Sequence, residues 1–172
     1  MRKISWTAFA LACAVLTGCA SNSTQLAAVT AAAPASRASA QSPAICKAIT
    51  EPEVAALFDR WNQSLKTGRA EKVVQNYAAR SILLPTVSNK LRLSAAEKED
   101  YFVHFLENQP VGSIDMRFVD IGCNTALDAG LYTFSFAKTG TKVSGRYSFT
   151  YGWDGQQWLI TSHHSSVMPG KD

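Results

Sequence analysis

The chain has 172 residues, of which 47% are hydrophobic and 17% charged, and its formal net charge is +4. Its aliphatic and aromatic content suffices for one core. Lys and Arg are scattered without a basic run, which gives nucleic-acid binding little electrostatic support. A small anionic ligand stays open, because one or two local arginines are enough to hold it.

Residues 1–18 read as a signal segment. Met1-Arg2-Lys3 is positive, and Ile4 to Leu16 is an apolar run of secretory length, short of the roughly 20 residues a membrane span needs. Leu16-Thr17-Gly18-Cys19 follows and resembles the lipobox of bacterial lipoproteins. That resemblance implies a lipid on Cys19 and a membrane anchor facing the periplasm. Ala20, in place of an Asp, leans toward the outer membrane. Ala38-Ser39-Ala40 is a second candidate cleavage pattern, which would leave a soluble periplasmic or secreted protein. Residues 19–44 are nearly all Ala, Ser, Thr, Asn, Gln and Pro and cannot bury enough apolar surface to order themselves, so they read as a flexible tether. Residues 45–172 form one domain of ordinary size.

Within it, Thr50 caps a helix carrying Val54, Leu57, Phe58, Trp61 and Leu65 at helical spacing, which Thr67-Gly68 ends. Val73, Val74 and Tyr77 mark a second, short helix. Ser81 to Pro85 is a short buried strand with Arg80 just before it. Ser94-Ala95-Ala96-Glu97 is a capping box for a third helix with Tyr101, Phe102, Phe105 and Leu106. From Ser113 the period becomes two, giving strands over Ile114–Cys123, Ala126–Ala137, Thr141–Trp153 and Gln157–Ser166. Helices followed by an antiparallel meander predict an α+β domain. Phe134, Phe136, Tyr147, Phe149 and Tyr151 exceed what one sheet face needs for a core, which points to an outer apolar patch and a homo-oligomer.

If Cys13 leaves with the signal and Cys19 carries lipid, Cys46 and Cys123 remain, and in an exported protein they make one disulfide. The alternative is two buried thiols. No CxxC and no His/Cys cluster at ligand spacing is present, so no metal and no cofactor is expected.

The order helix, helix, strand, helix, four strands is similar to the nuclear transport factor 2-like cone, in the wider polyketide cyclase-like superfamily. Three segments, "EVAALFDRWNQSLKTGRAEKVVQNYA", "ILLPTVSNKLR" and "YSFTYGWDGQQWLITSHHSS", resemble bacterial members of the calcium/calmodulin-dependent protein kinase II association-domain family. The resemblance implies three N-terminal helices packed on a curved, mainly antiparallel sheet, and a cavity lined by arginines and a histidine of the last strands. The chain has no kinase motifs.

On that reading Arg146 and one of His163 and His164 face the cavity. A two-residue turn at Asp154-Gly155 sets Arg146 opposite His163, and a three-residue loop sets it opposite His164. The resemblance aligns Trp158, Ile160 and His164 so that His164 points inward with Ser162. An Arg beside a His suits a carboxylate or another small anion. Arg80 and Arg92 are further candidate cations, and Tyr77 and Tyr101 candidate rim hydroxyls. Asp115, Asp120 and Asp128 fall near expected strand ends or turns, so the only candidate general base is His164. An oligomerising, anion-binding envelope lipoprotein is therefore the leading expectation, and a cyclase, isomerase or dehydratase the alternative.

Overall fold

A computed structural model of the protein describes residues 45–86 and 88–170. The signal segment, Cys19 and most of the tether lie outside the described residues. Helix α1 (Glu51–Leu65), helix α2 (Ala70–Val74) and strand β1 (Tyr77–Leu84) come first, followed by helix α3 (Ala95–Leu106). Strands β2 (Pro110–Gly122), β3 (Thr125–Phe136), β4 (Thr141–Trp153) and β5 (Trp158–Val167) complete the domain.

Both long helices start where side chains replace the missing backbone acceptors. Thr50 accepts from the Glu53 N–H while the Glu53 carboxylate accepts from the Thr50 N–H, and Ser94 and Glu97 repeat the arrangement on α3. Val54, Phe58, Trp61 and Leu65 bury the inner stripe of α1 against the sheet. Buried Asn62 fixes the docking. Its amide donates to the Gly112 carbonyl at 2.8 Å and accepts from the Gly112 N–H at 2.9 Å.

The five strands lie in the order β1-β5-β4-β3-β2. Only β1 and β5 are parallel, with α3 in the connection from β1 to the far edge at β2. Tyr77 opens β1 and does not belong to the second helix as its spacing suggested. The Ile160 N–H donates to the Asn76 carbonyl at 2.9 Å, and Tyr77 stands beside Ile160, so pairing with β5 overrides the short apolar helical pattern. Arg80 consequently lies within β1.

Two positions break the alternation of side chains, and each decides which polar side chains turn inward. In β2, Ile114 faces Tyr132 while Met116 faces Leu131, so Asp115 is an extra residue. In β5, Tyr151 faces Ile160 while Thr150 faces Ser162, so Thr161 is an extra residue. Such bulges move every following side chain to the opposite face. The β4–β5 connection is also longer than either expected length. Trp153 pairs with Trp158, leaving four residues between them, and the Asp154 carboxylate accepts from the Gln156 and Gln157 N–H groups, both at 2.8 Å. Gly155 provides the positive φ of 104° there.

Phe134, Tyr147, Phe149 and Tyr151 are all buried on the inner face, with Phe136 packed against them. The outer apolar surface expected from them consists instead of other residues, chiefly Met116 (50% exposed) and Phe118 (60% exposed) on β2. Cys46 is disulfide-bonded to Cys123, tying the segment before α1 to the end of β2.

Candidate functional site

Helix α3, Trp61 of α1 and the inner face of β3–β5 enclose a cavity of about 450 Å³. Aromatic side chains form one side of its wall, among them Tyr101, Phe102, Phe105, Phe134 and Phe136. Polar atoms enter this lining from β5 and from the segment that follows β1.

His163 is the first of them. It is buried, stacked on Phe149 with ring centroids 4.0 Å apart, and met edge-on by Trp61 at 5.3 Å. Its Nδ1 lies 2.7 Å from the Tyr77 hydroxyl. Its Nε2 is buried and has no partner. Burial, with the neighbouring His164 adding to it, pulls the His163 pKa down to about 3, so the ring is neutral near pH 7. Burial likewise raises the Tyr77 hydroxyl well above its usual value.

Ser165 is two residues further along β5 and on the same face. Its hydroxyl is hydrogen-bonded to the hydroxyls of Thr86 and Tyr132. Burial raises the Tyr132 pKa, against the lowering effect of the Ser165 contact. Arg92 also reaches the cavity wall, because its bridge to Leu83 and the pairing of Leu83 with His163 put all three in one row across the sheet. Arg92 Nη1 donates to Asp100 at 2.6 Å, while its buried Nε has no partner. The guanidinium stands over the Tyr101 ring, whose hydroxyl burial pushes up to about 12.

These positions reverse the expected assignment of the two histidines. His163 lines the cavity, whereas His164 is exposed on the outer face beside Ser148. Arg146 is exposed too, opposite Ser166 and not opposite either histidine, and Arg80 is exposed on β1. None of Arg146, His164 and Arg80 reaches the cavity, while Tyr101 and Arg92 do. Strict alternation from Trp158 and Ile160 puts Ser162 and His164 inside, and the extra residue Thr161 turns His163 and Ser165 inward in their place. Tyr77 is a buried partner of His163 and not a rim hydroxyl. Thr86 and Tyr132 carry no local signal in the sequence that would have marked them. Ser165 follows from its spacing once His163 is known to face inward.

A second polar cluster is buried under α1. Asp128 accepts from Arg117 Nε at 3.1 Å and from the Tyr147 hydroxyl at 2.8 Å, both on the same carboxylate oxygen. Burial raises the Asp128 pKa even so, outweighing Tyr147 and Arg117. Asp128 was expected near a strand end, yet it is fully buried within β3, and the bulge at Asp115 turns Arg117 inward to meet it. Phe149 stands between Asp128 and His163 in the sheet, so this carboxylate is not part of the cavity. Among the described residues no group of three or more His, Cys, Asp or Glu could hold a metal ion.

The family model of the calcium/calmodulin-dependent protein kinase II association domain matches residues 50–169. The chain belongs to that family. It is similar to the solved association-domain protein of Xanthomonas campestris, with 44% identity over 74% of this chain and 98% of that one, at a TM-score of 0.67. The iota-carbonic anhydrase of a cyanobacterium, solved in complex with bicarbonate, shares the fold at 22% identity and a TM-score of 0.65, covering 76% of this chain and 99% of that one. A nuclear transport factor 2-like protein of unknown function from Pseudomonas putida KT2440 does so at 16% identity and a TM-score of 0.61, over 70% of this chain and 87% of that one. No curated protein matches the chain.

Proposed function

We propose that this association domain binds a small oxyanion of the bicarbonate or simple carboxylate class at the polar end of its cavity. The observation that carries this reading is that His163 and the Thr86–Ser165–Tyr132 hydroxyl set line the same cavity, whose wall is rich in aromatic side chains. Buried polar atoms without partners are costly, by about 1–3 kcal/mol each, and an anion that accepts from them recovers that cost. Arg92, ion-paired with Asp100 through Nη1, adds a further unpartnered donor, its Nε, in the wall.

A second reading extends the first to catalysis, the reversible hydration of carbon dioxide. The bicarbonate complex of the cyanobacterial carbonic anhydrase, which has the same fold, favours it. In that reaction a water oxygen bonds to the carbon of CO2, one water proton is released to solvent, and the polar end holds the bicarbonate formed. The apolar wall suits the neutral gas and the hydroxyl set suits the ion. Stopped-flow CO2 hydration with a pH indicator, beside calorimetric titration of bicarbonate and acetate, separates the two readings. Binding with hydration lost in Ser165→Ala supports catalysis, and binding without hydration supports a ligand-binding domain. Failure to bind either anion at millimolar concentration overturns both.

The proposal includes assembly and location. A homo-oligomer covers the Met116 and Phe118 side of the sheet. A lipid on Cys19 holds the domain at the envelope by the tether of residues 19–44, the outer membrane being favoured by Ala20. Cys19→Ser should move the protein to the soluble fraction and remove the lipid mass. An unchanged distribution overturns the anchor.

A further inference from the structure

The contact between Tyr77 and His163 allows two placements of hydrogen. Either His163 Nδ1–H donates to the phenol oxygen, or the phenol O–H donates to Nδ1. The first leaves the Tyr77 O–H needing another acceptor, and among the described residues the one acceptor it meets is His163 Nδ1, in a buried position. An unsatisfied buried O–H is disfavoured. In the second placement that hydrogen is used. The phenol oxygen then turns its lone pairs elsewhere, and the Trp61 indole N–H is the donor on that side. It is buried without a completed hydrogen bond, yet near enough to oppose the rise in the Tyr77 pKa.

With Nδ1 accepting, a neutral imidazole carries its hydrogen on Nε2. Nε2 is the buried, unpartnered atom of a residue in the cavity wall. The hydroxyl set yields to the same accounting. Ser165 contacts both Thr86 and Tyr132, and either atom of each contact can donate, so the set can turn an O–H toward a ligand in the cavity. His163 and Ser165 are two apart on one strand face, about 7 Å along the chain.

We propose that Tyr77 is a positioning residue that holds His163 as the Nε2–H tautomer, so that the cavity offers one N–H and one O–H to the two oxygens of a carboxylate-type anion. This rests on the oxyanion reading above and gives it a chemical form. The imidazole acts as a hydrogen-bond donor and needs no proton from solvent to receive the ligand. A cationic or donor-only ligand is excluded from that end. The other charged groups nearby are Arg92 in the wall, Lys98 with its ammonium 5.8 Å from the Tyr77 ring centroid, and His164 on the opposite face of β5.

The test is the long-range ¹H–¹⁵N spectrum of histidine-labelled full chain at pH 7, without ligand. His163 is expected to show protonated Nε2 and unprotonated Nδ1. An Nδ1–H pattern or an imidazolium there overturns the inference, and this measurement needs no variant. Tyr77→Phe keeps the ring and removes the hydroxyl. It should mix or invert the His163 tautomer and weaken acetate binding about tenfold, with thermal unfolding tracked alongside. An unchanged tautomer in a folded Tyr77→Phe protein also overturns the proposal. If the native tautomer is as expected and neither acetate nor bicarbonate binds, the oxyanion reading fails while the role of Tyr77 stands.

Discussion

His163 lies against Phe149, ring centroids 4.0 Å apart and planes 25° apart, on the strand pair where Thr161 shifts the register by one. Unfolded, such an imidazole takes up a proton near pH 6.5, whereas in the fold it does so only near 3. The unfolded chain therefore binds more protons through that window. Stability is fully present above about pH 6.5 and falls as pH drops toward 3, by roughly 3 kcal/mol at pH 4 from this group alone. Urea unfolding from pH 7 to 4 should show the fall, and His163→Phe should flatten it. An equally steep fall in the variant would assign the effect to other groups.

The buried carboxylate has the opposite sign. The Asp128 pKa is raised by folding, so its effect on stability is most favourable at low pH and declines as pH rises through its folded value. Asp128→Asn should nevertheless destabilise the fold, by about 2 kcal/mol, because it leaves the half-buried Arg117 guanidinium without its counter-charge. Adding Arg117→Met should restore part of the loss. Denaturant unfolding of the single and double variants measures both, and additive losses would show that the pair is not coupled.

The outer face predicts assembly. Met116 and Phe118 are exposed on the edge strand β2, beside Leu131 and Ala129 of β3 in register. Phe118→Lys should dissociate the oligomer, read as a drop in mass by light scattering, and leave acetate affinity within twofold. Arg146→Ala and His164→Ala should also spare the cavity, since both side chains are on the outer face. A loss of anion binding in either would contradict the placement of the two faces.

The disulfide predicts a further difference in stability. Cys46 and Cys123 close a loop across 77 positions, and releasing such a cross-link costs up to about 4 kcal/mol through the entropy of the unfolded chain. Cys46→Ser with Cys123→Ser should lower the urea midpoint accordingly without moving the cavity residues. An unchanged midpoint would mean that the segment before α1 is held by other contacts, such as the 2.7 Å bond from the Lys47 N–H to Asn124.

Much of this architecture was legible along the chain. Caps at Thr50 and Ser94, the stripe from Val54 to Leu65 and the change to period two after Ser113 depend on neighbours within a few residues. The lone pair of domain cysteines pointed to the bond that is present. Other features were not legible. Tyr77 reads locally as helix and becomes strand because β5, over 80 residues later, offers it a partner.

The sequence alone therefore determined the α+β class and the order of elements, and it pointed to the disulfide and to one inward-facing histidine in the last strand. The tertiary structure decided which histidine it is. A strand's faces alternate with a period of two, so one extra residue inverts all that follows, and nothing in Thr161 itself marks it as that residue. Its position is set by the simultaneous demands of two buried pairs, Tyr151 with Ile160 before the bulge and Phe149 with His163 after it. Packing against β4 and α1 settles that register, and with it the inward turn of His163 and Ser165 and the outward turn of His164.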